Sequence, residues 1–129
     1  MARKVILDTN FLLIPSAERV DVFAEIERVV SGAVNFCMIE GSMRELQALE
    51  ANGSPAEKAQ ARLARKILAV KHISLISQKA GVVDDAIVQE ARPGDLVATM
   101  DKELRQRLKE KGVDTAVLRK RQHVIILEA

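Results

Sequence analysis

Short apolar runs alternate along this chain with stretches in which apolar residues recur every three or four positions. The runs are typical of buried strands, and the wider spacing is typical of helices that bury one face. Predicted strands lie at residues 4–7, 34–38, 72–76, 96–99, 115–118 and 124–127, and predicted helices at 20–31, 39–52, 56–70, 82–91 and 101–111. Alternating strands and helices predict an α/β fold, a three-layer α/β/α sandwich with a mainly parallel central sheet, in a single domain over residues 1–129.

Composition narrows the class of protein. The chain has no Trp and no Tyr, and Phe occurs only at 11, 23 and 36, so binding of single strands by aromatic stacking is disfavoured. The one cysteine, Cys37, cannot form an internal disulfide, which favours a reducing compartment. No apolar run is long enough to cross a membrane, and no secretory leader pattern opens the chain. We therefore expect a cytoplasmic protein.

Charge is placed unevenly along the chain. The formal net charge is +2, but residues 56–72 carry a local +4 and residues 102–121 a local +5, which leaves −7 for the rest. Basic stretches beside acidic ones suit a protein that binds a polyanion and holds a metal ion elsewhere. Solvated helix faces explain such charge runs about equally well.

Acidic residues directly follow two of the predicted strands. Asp8 comes after the first, beside Thr9 and Asn10, and Asp101 comes after the strand that ends near Thr99. Carboxylates gathered at strand ends repel one another unless they are protonated or bind a cation, and hard divalent ions prefer such oxygen ligands. Taken alone, however, the Asp8 segment fits a turn or a helix cap better than a metal site.

Glu45 is a further acidic candidate, on the helix predicted at 39–52. Ser42 and Glu45 have the spacing of a capping box, in which a serine hydroxyl and a glutamate three residues later cap a helix start. A glutamate in the first helical turn can still face a cleft, so the two roles are compatible.

Asp84 and Asp85 are adjacent near the start of a predicted helix, where the helix dipole favours acids. Neighbours on a helix point about 100° apart, so only one of them is expected to face a shared cleft. Ile87 follows Asp84 at helical spacing, and packing Ile87 inward turns Asp84 towards the core. We therefore rank Asp84 above Asp85.

Other chemistries lack their usual patterns. His72 and His123 have no Cys or His partner at metal-ligand spacing, which disfavours a zinc site. No Gly-rich phosphate loop precedes a helix, and no serine or cysteine sits in a nucleophile motif.

Taken together, the acidic motifs resemble the PIN domain family of nucleases, over essentially the whole chain. The motifs are Leu-Asp-Thr-Asn-Phe at 7–11, Asp-Asp-Ala-Ile-Val-Gln at 84–89, Val-Ala-Thr-Met-Asp-Lys-Glu-Leu-Arg-Gln-Arg-Leu-Lys at 97–109 and Val-Leu-Arg-Lys-Arg-Gln-His at 117–123. They look most like archaeal proteins close to the PIN nucleases of small-subunit ribosomal RNA processing. VapC toxins of toxin–antitoxin pairs share the same fold and acids.

The resemblance implies a PIN-domain-like fold and a ribonuclease that depends on Mg²⁺ or Mn²⁺. The implied acidic residues are Asp8, Glu45, Asp84 and Asp101, with Asp85 as a further metal ligand to be tested and Thr9, Asn10 and Thr99 in support. The basic helices are expected to hold RNA through Lys58, Arg62, Arg65, Lys102, Arg105 and Lys109. A small antitoxin protein or ribosome-assembly factors are the implied partners, and a homodimer is left open.

Two alternatives stay open beside the ribonuclease. One is a PIN fold that docks RNA or a partner protein without cutting it. The other is a phosphatase-like hydrolase, which would usually carry a second aspartate at position 10, where this chain has Asn10.

Overall fold

The fold is a six-stranded sheet with helices on both faces, seen in a computed structural model that describes residues 2–78 and 81–129. In chain order the elements are β1 (Arg3–Leu7), α1 (Thr9–Leu12), α2 (Ile14–Glu18), α3 (Val22–Val29), β2 (Val34–Ile39), α4 (Glu40–Asn52), α5 (Pro55–Val70), β3 (Ser74–Ile76), α6 (Val83–Glu90), β4 (Leu96–Ala98), α7 (Lys102–Glu110), β5 (Asp114–Arg119) and β6 (His123–Leu127). The strand order is β3-β2-β1-β4-β5-β6, in which only β6 runs antiparallel to its neighbour. The predicted α/β sandwich with a mainly parallel sheet is confirmed.

Side chains alternate between the two faces of the sheet and so build two cores. Val5 and Leu7 of β1 pack in a core with the helices α1 to α5, which also contains the edge-on ring pair of Phe23 on α3 and Phe36 on β2. Ile6, between them in sequence, packs on the opposite face with α6 and α7. Because consecutive strand residues point to opposite faces, this one strand anchors all three layers.

The first two helices were not predicted. They span four and five residues, too few to show a helical period, and α2 carries Pro15 in its first turn. Proline is tolerated in the first helical turn, where its missing N–H has no partner to lose, and Asp8 caps the start of α1.

The predicted capping box at Ser42 is wrong. β2 leads directly into α4, which begins at Glu40, so Ser42 lies inside the helix. Its side chain is buried, and its hydroxyl has no hydrogen-bond partner among the described residues. The capping box of this region forms instead at Ser54 and Glu57, at the start of α5.

Small side chains form much of the buried face of α5. Leu68 is buried, but Leu63 is exposed, and Ala61 and Ala64 take the buried positions. Small side chains let α5 approach the layer beneath it closely, and a pattern search weighted towards large apolar residues overlooks them.

The strand order reverses between β1 and β4. From β1 the chain moves outward to β2 and β3, whereas β4 lies on its other side and leads to β5 and β6. In open α/β sheets the crevice at the carboxyl ends of the strands on either side of such a point is where sites form.

No helix in the described part of the chain is long and apolar enough to span a bilayer.

Candidate active site

Asp8 lies at the carboxyl end of β1, inside this crevice. Only 5% of the residue is exposed. The backbone N–H of Thr9 donates to Oδ1 at 2.8 Å, and the Thr99 hydroxyl donates to Oδ2 at 2.7 Å. Thr99 follows β4, so one carboxylate joins the ends of the two central strands.

The pKa of Asp8 is raised from an ordinary 3.8 to about 6. Burial is the largest cause, and the charges of Asp84 and Glu45 add to it. The hydrogen bonds from Thr99 and Thr9 act in the opposite direction because they favour the charged form. Burial and the nearby acidic charges therefore make the charged form of Asp8 costly unless a cation is present.

Glu45 reaches the crevice from α4. The Thr9 hydroxyl donates to Glu45 Oε1 at 2.7 Å, so Thr9 bonds to Glu45 through its side chain and to Asp8 through its backbone. Glu45 is exposed, in contrast to Asp8. The predicted helix placed it correctly, although not through the capping box.

Asp101 caps α7, and its own backbone ties it to Asp8. Leu104 N donates to Asp101 Oδ1 at 3.0 Å, while Asp101 N donates to the Thr99 hydroxyl oxygen at 3.1 Å. Thr99 in turn donates to Asp8, so a continuous chain of hydrogen bonds links the two acids. Asp8 and Asp101 are therefore helix caps as well as members of the acidic group.

Asn10 supports the same corner of the crevice. Its Oδ1 accepts a hydrogen bond from the backbone N–H of Met100 at 3.2 Å. Met100 lies between Thr99 and Asp101 in sequence, so this bond fixes the segment that follows β4 against α1.

Asp84 and Asp85 point in different directions. The pKa of Asp84 is raised by partial burial and then by the charges of Asp101 and Glu45, which places Asp84 among the acids of the crevice. The Asp85 side chain is 64% exposed and pairs with Arg107 of α7 at 2.9 Å. Asp85 thus holds α6 to α7 rather than joining the group.

Arg107 is a residue that sequence reasoning missed. It pairs with Asp85, and its charge lowers the pKa of Asp84 against the effects that raise it. The only available signal was its place among the eight basic residues of 102–121, which does not distinguish it from its neighbours.

The four acids offer the oxygen ligands that a hard divalent cation prefers, but their side chains are spaced too widely to coordinate one directly. Asp8, Glu45, Asp84 and Asp101 offer carboxylate oxygens, and their mutual repulsion favours a cation between them. Within residues 2–78 and 81–129, no three His, Cys, Asp or Glu side chains lie close enough to hold a metal ion as they stand. Mg²⁺ keeps several of its waters when bound to protein, so a hydrated ion fits this wider spacing.

The basic residues predicted to bind RNA form two separate groups. Lys58, Arg62 and Arg65 lie on α5, where Arg65 pairs with Glu50 at 2.5 Å. The second group, Lys102, Arg105 and Lys109 of α7, lines a cavity of about 410 Å³ against β5 and β6. None of the four acids lines this cavity.

Comparison with known proteins identifies the class. A sequence profile described as a PIN like domain matches residues 5–121, most of the chain. The chain therefore belongs to the PIN-like domain family, and the resemblance inferred from its motifs is confirmed.

Two curated relatives are similar over nearly their full lengths. Ribonuclease VapC4 of Methanocaldococcus jannaschii is 26% identical over 122 residues, which are 93% of this chain and 93% of that protein. Ribonuclease VapC9 of Archaeoglobus fulgidus is 27% identical over 124 residues, 96% of this chain and 89% of that protein. The solved structure of the PIN domain endonuclease Utp24 matches with a TM-score of 0.80 at 25% identity, covering 98% of this chain and 92% of that one.

Proposed function

We propose that this protein is an endoribonuclease that hydrolyses RNA phosphodiester bonds with the help of Mg²⁺ or Mn²⁺. The observation that carries the proposal is the group of four acids at the β1/β4 crevice, in which Asp8 is buried and its pKa is raised first by that burial and then by the charges of Asp84 and Glu45. The names of the relatives, two ribonucleases and an endonuclease, support the substrate and the reaction.

Asp8 and Asp101 are the residues that would hold the cation most directly, and Asp84 and Glu45 would bind it through water or hold a second ion. When bound, the cation would supply Lewis-acid stabilisation of the negative charge that develops on the phosphate and would activate water for attack. No side chain has to act as the nucleophile.

The chain's own contribution is positional. Thr9 and Thr99 fix both oxygens of Asp8 and so orient the carboxylate. Met100 N donates to Asn10 Oδ1, and this bond fixes the segment that carries Asp101. Groups held in place before the substrate arrives need no reorganisation during the reaction, which is how an active site lowers its barrier.

The biological role follows from the RNA substrate and the partner. The likeness to VapC proteins supports a toxin held by a small antitoxin protein, and the likeness to Utp24 supports processing of ribosomal RNA beside assembly factors. A small reading frame directly upstream of the gene would favour the toxin. Cytoplasmic location belongs to this proposal in either role.

A second candidate is a PIN fold that binds RNA or protein without cutting. Its specific support is that two of the acids, Asp8 and Asp101, double as helix caps and that the acids do not close around a metal ion in their present positions. Both candidates predict RNA binding, so cleavage separates them.

The test is cleavage of an end-labelled structured RNA by the wild-type protein and Asp8→Asn, each with Mg²⁺, Mn²⁺ or EDTA. The proposal expects cutting that requires the ion and is lost in the variant. Binding without cutting under every condition would establish the second candidate. Equal cutting by both proteins would reject a site that includes Asp8.

A further inference from the structure

The turn that joins β5 to β6 has an unusual backbone for its sequence. Gln122 N donates to Arg119 O at 3.1 Å, which closes a four-residue turn. Its two central residues, Lys120 and Arg121, both have φ of 55°. Positive φ at both central positions defines a type I′ turn, which is dominated by Asn-Gly and similar pairs.

Two consecutive basic residues are a poor choice for this backbone. In the left-handed region the β-carbon lies close to the following carbonyl oxygen, and only Gly, Asn and Asp adopt that region readily. A strained backbone of this kind is found preferentially at functional sites, where the side chain is needed more than the stability. The strained backbone therefore indicates a functional role for the side chains of Lys120 and Arg121.

Both side chains border a cavity of about 360 Å³ beside the acidic crevice. Leu13, Ile14, Met100 and Leu118 give this cavity an apolar floor, and Asn10 lies at its wall. We refer to it as the turn cavity.

Hydrogen bonds connect the turn cavity to the acids. Leu118 N donates to the Met100 sulfur at 3.3 Å, and Met100 N donates to Asn10 Oδ1 at 3.2 Å. Met100 stands between Thr99 and Asp101, and Asn10 lies two residues after Asp8. The turn cavity therefore adjoins the acids through Asn10 and Met100, which line it.

The charge at the turn is available to a ligand. Arg119, Lys120 and Arg121 are all exposed, and the Arg121 side chain is 83% exposed. Glu18, an acid that lines the cavity, lies 3.9 Å from Arg121. Ion pairs this long and exposed contribute little, so Glu18 does not neutralise the turn.

We propose that the turn cavity is a subsite for a nucleotide next to the cleaved phosphate, in which Lys120 and Arg121 contact the RNA backbone and the apolar floor contacts a base. This inference rests on the proposed function, since it assumes that RNA is bound at the acids. It assigns backbone binding to residues beside the crevice, in addition to the two basic groups predicted on α5 and α7.

The test relieves the backbone strain of the turn and removes its positive charge in one variant. Lys120→Asn with Arg121→Gly replaces the turn by the pair that a type I′ backbone prefers and removes two positive charges. In the non-cleaving Asp8→Asn protein, binding of single-stranded RNA is measured by fluorescence anisotropy from low to high salt, beside a melting curve. We expect the melting temperature to rise by about 3 °C. RNA affinity should fall about tenfold, and the salt dependence should weaken by about 1.4 in log–log slope, the value for two phosphate contacts on a single strand.

Matched variants separate charge from position. Arg92→Glu changes the net charge by the same two units at an exposed position between α6 and the amino end of β4, and should leave affinity and slope near those of the parent. Lys120→Arg with Arg121→Lys keeps both charges and should keep the affinity.

Each result has a distinct meaning. If the turn replacement binds RNA with the parent's affinity and slope, the subsite is rejected while the proposed function stands. If the replacement lowers the melting temperature and binding together, the turn is structural and the subsite is again rejected. If the Asp8→Asn protein with its natural turn binds no RNA, the proposed function itself fails.

Discussion

The acidic crevice and the β5–β6 turn both oppose stability, but in different ways. In the crevice, the buried carboxylate of Asp8 lies beside the charges of other acids, and each of its oxygens is fixed by a hydrogen bond. In the turn, exposed basic side chains sit on a backbone that suits Asn and Gly. The crevice is destabilised by electrostatic repulsion and the turn by backbone strain. A substitution that relieves the repulsion or the strain should therefore raise the stability of the fold and weaken ligand binding.

The largest expected effect is the dependence of the free energy of unfolding on pH. Because the folded-state pKa of Asp8 is raised from 3.8 to about 6, the folded protein holds this proton more tightly than the unfolded chain. The free energy of unfolding should therefore fall as pH rises from about 4 to about 6, by up to about 3 kcal/mol for this group without metal. Asp8→Asn removes the effect, so denaturant unfolding of the two proteins at pH 4 and pH 8 isolates it. An equal pH dependence in both would contradict the buried-charge account.

Removing the Thr99 hydroxyl should have the next largest effect. Thr99→Val deprives Asp8 of a buried hydrogen bond and Asp101 N of its acceptor, which should cost about 1.5 kcal/mol of stability. Cleavage should also fall, because Asp8 loses its orientation. Thr115→Val is the matched control, a buried threonine on β5 outside the crevice. Similar losses of activity in both would assign the effect to general packing.

Metal binding should raise the melting temperature of the wild-type protein. An ion at ten times its dissociation constant stabilises the folded state by about 1.4 kcal/mol, or about 4 °C for a chain of this size. Asp8→Asn should lose most of the shift, whereas Asp85→Asn should keep it because Asp85 pairs with Arg107. Thermal melts with Mg²⁺ or Mn²⁺ titrated to about 20 mM would measure this shift in melting temperature. No shift with either ion would count heavily against a metal site.

The basic residues of α5 should show the smallest effect. Arg65 already pairs with Glu50, so Arg65→Ala should change stability by less than about 1 kcal/mol. Its loss should also weaken RNA binding less than Arg62→Ala, because Arg62 has no acidic partner within the described residues. Anisotropy with both variants in the Asp8→Asn background would measure the difference. A larger loss for Arg65 would show that its pair with Glu50 opens to receive RNA.

Local sequence patterns predicted most of the strands and helices of this fold. They failed where contacts between distant parts of the chain determine the bounds of an element. The strand before Asp8 and the helix after Asp101 could be recognised because period and caps are local properties. The helices α1 and α2 were too short for a period, and the start of α4 is set by the strand that enters it, which misled the interpretation of Ser42.

The same division applies to the site. Acids at strand ends predict a crevice because parallel strands end at one edge, and the ranking of Asp84 over Asp85 used the helical angle alone. The pairing of Asp85 with Arg107 depends on how α6 packs on α7. The positive φ of Lys120 and Arg121 contradicts their residue types, so no propensity argument could have found it.

The most direct test of the central claim compares two adjacent acids. Wild type, Asp84→Asn and Asp85→Asn would be assayed for cleavage of one end-labelled RNA with Mn²⁺, each beside an EDTA control. If the crevice acids form the active site, Asp84→Asn should lower the cleavage rate about 100-fold or more, while Asp85→Asn changes it less than about threefold. Equal losses in both variants, or none in either, would contradict the assignment of catalysis to this crevice.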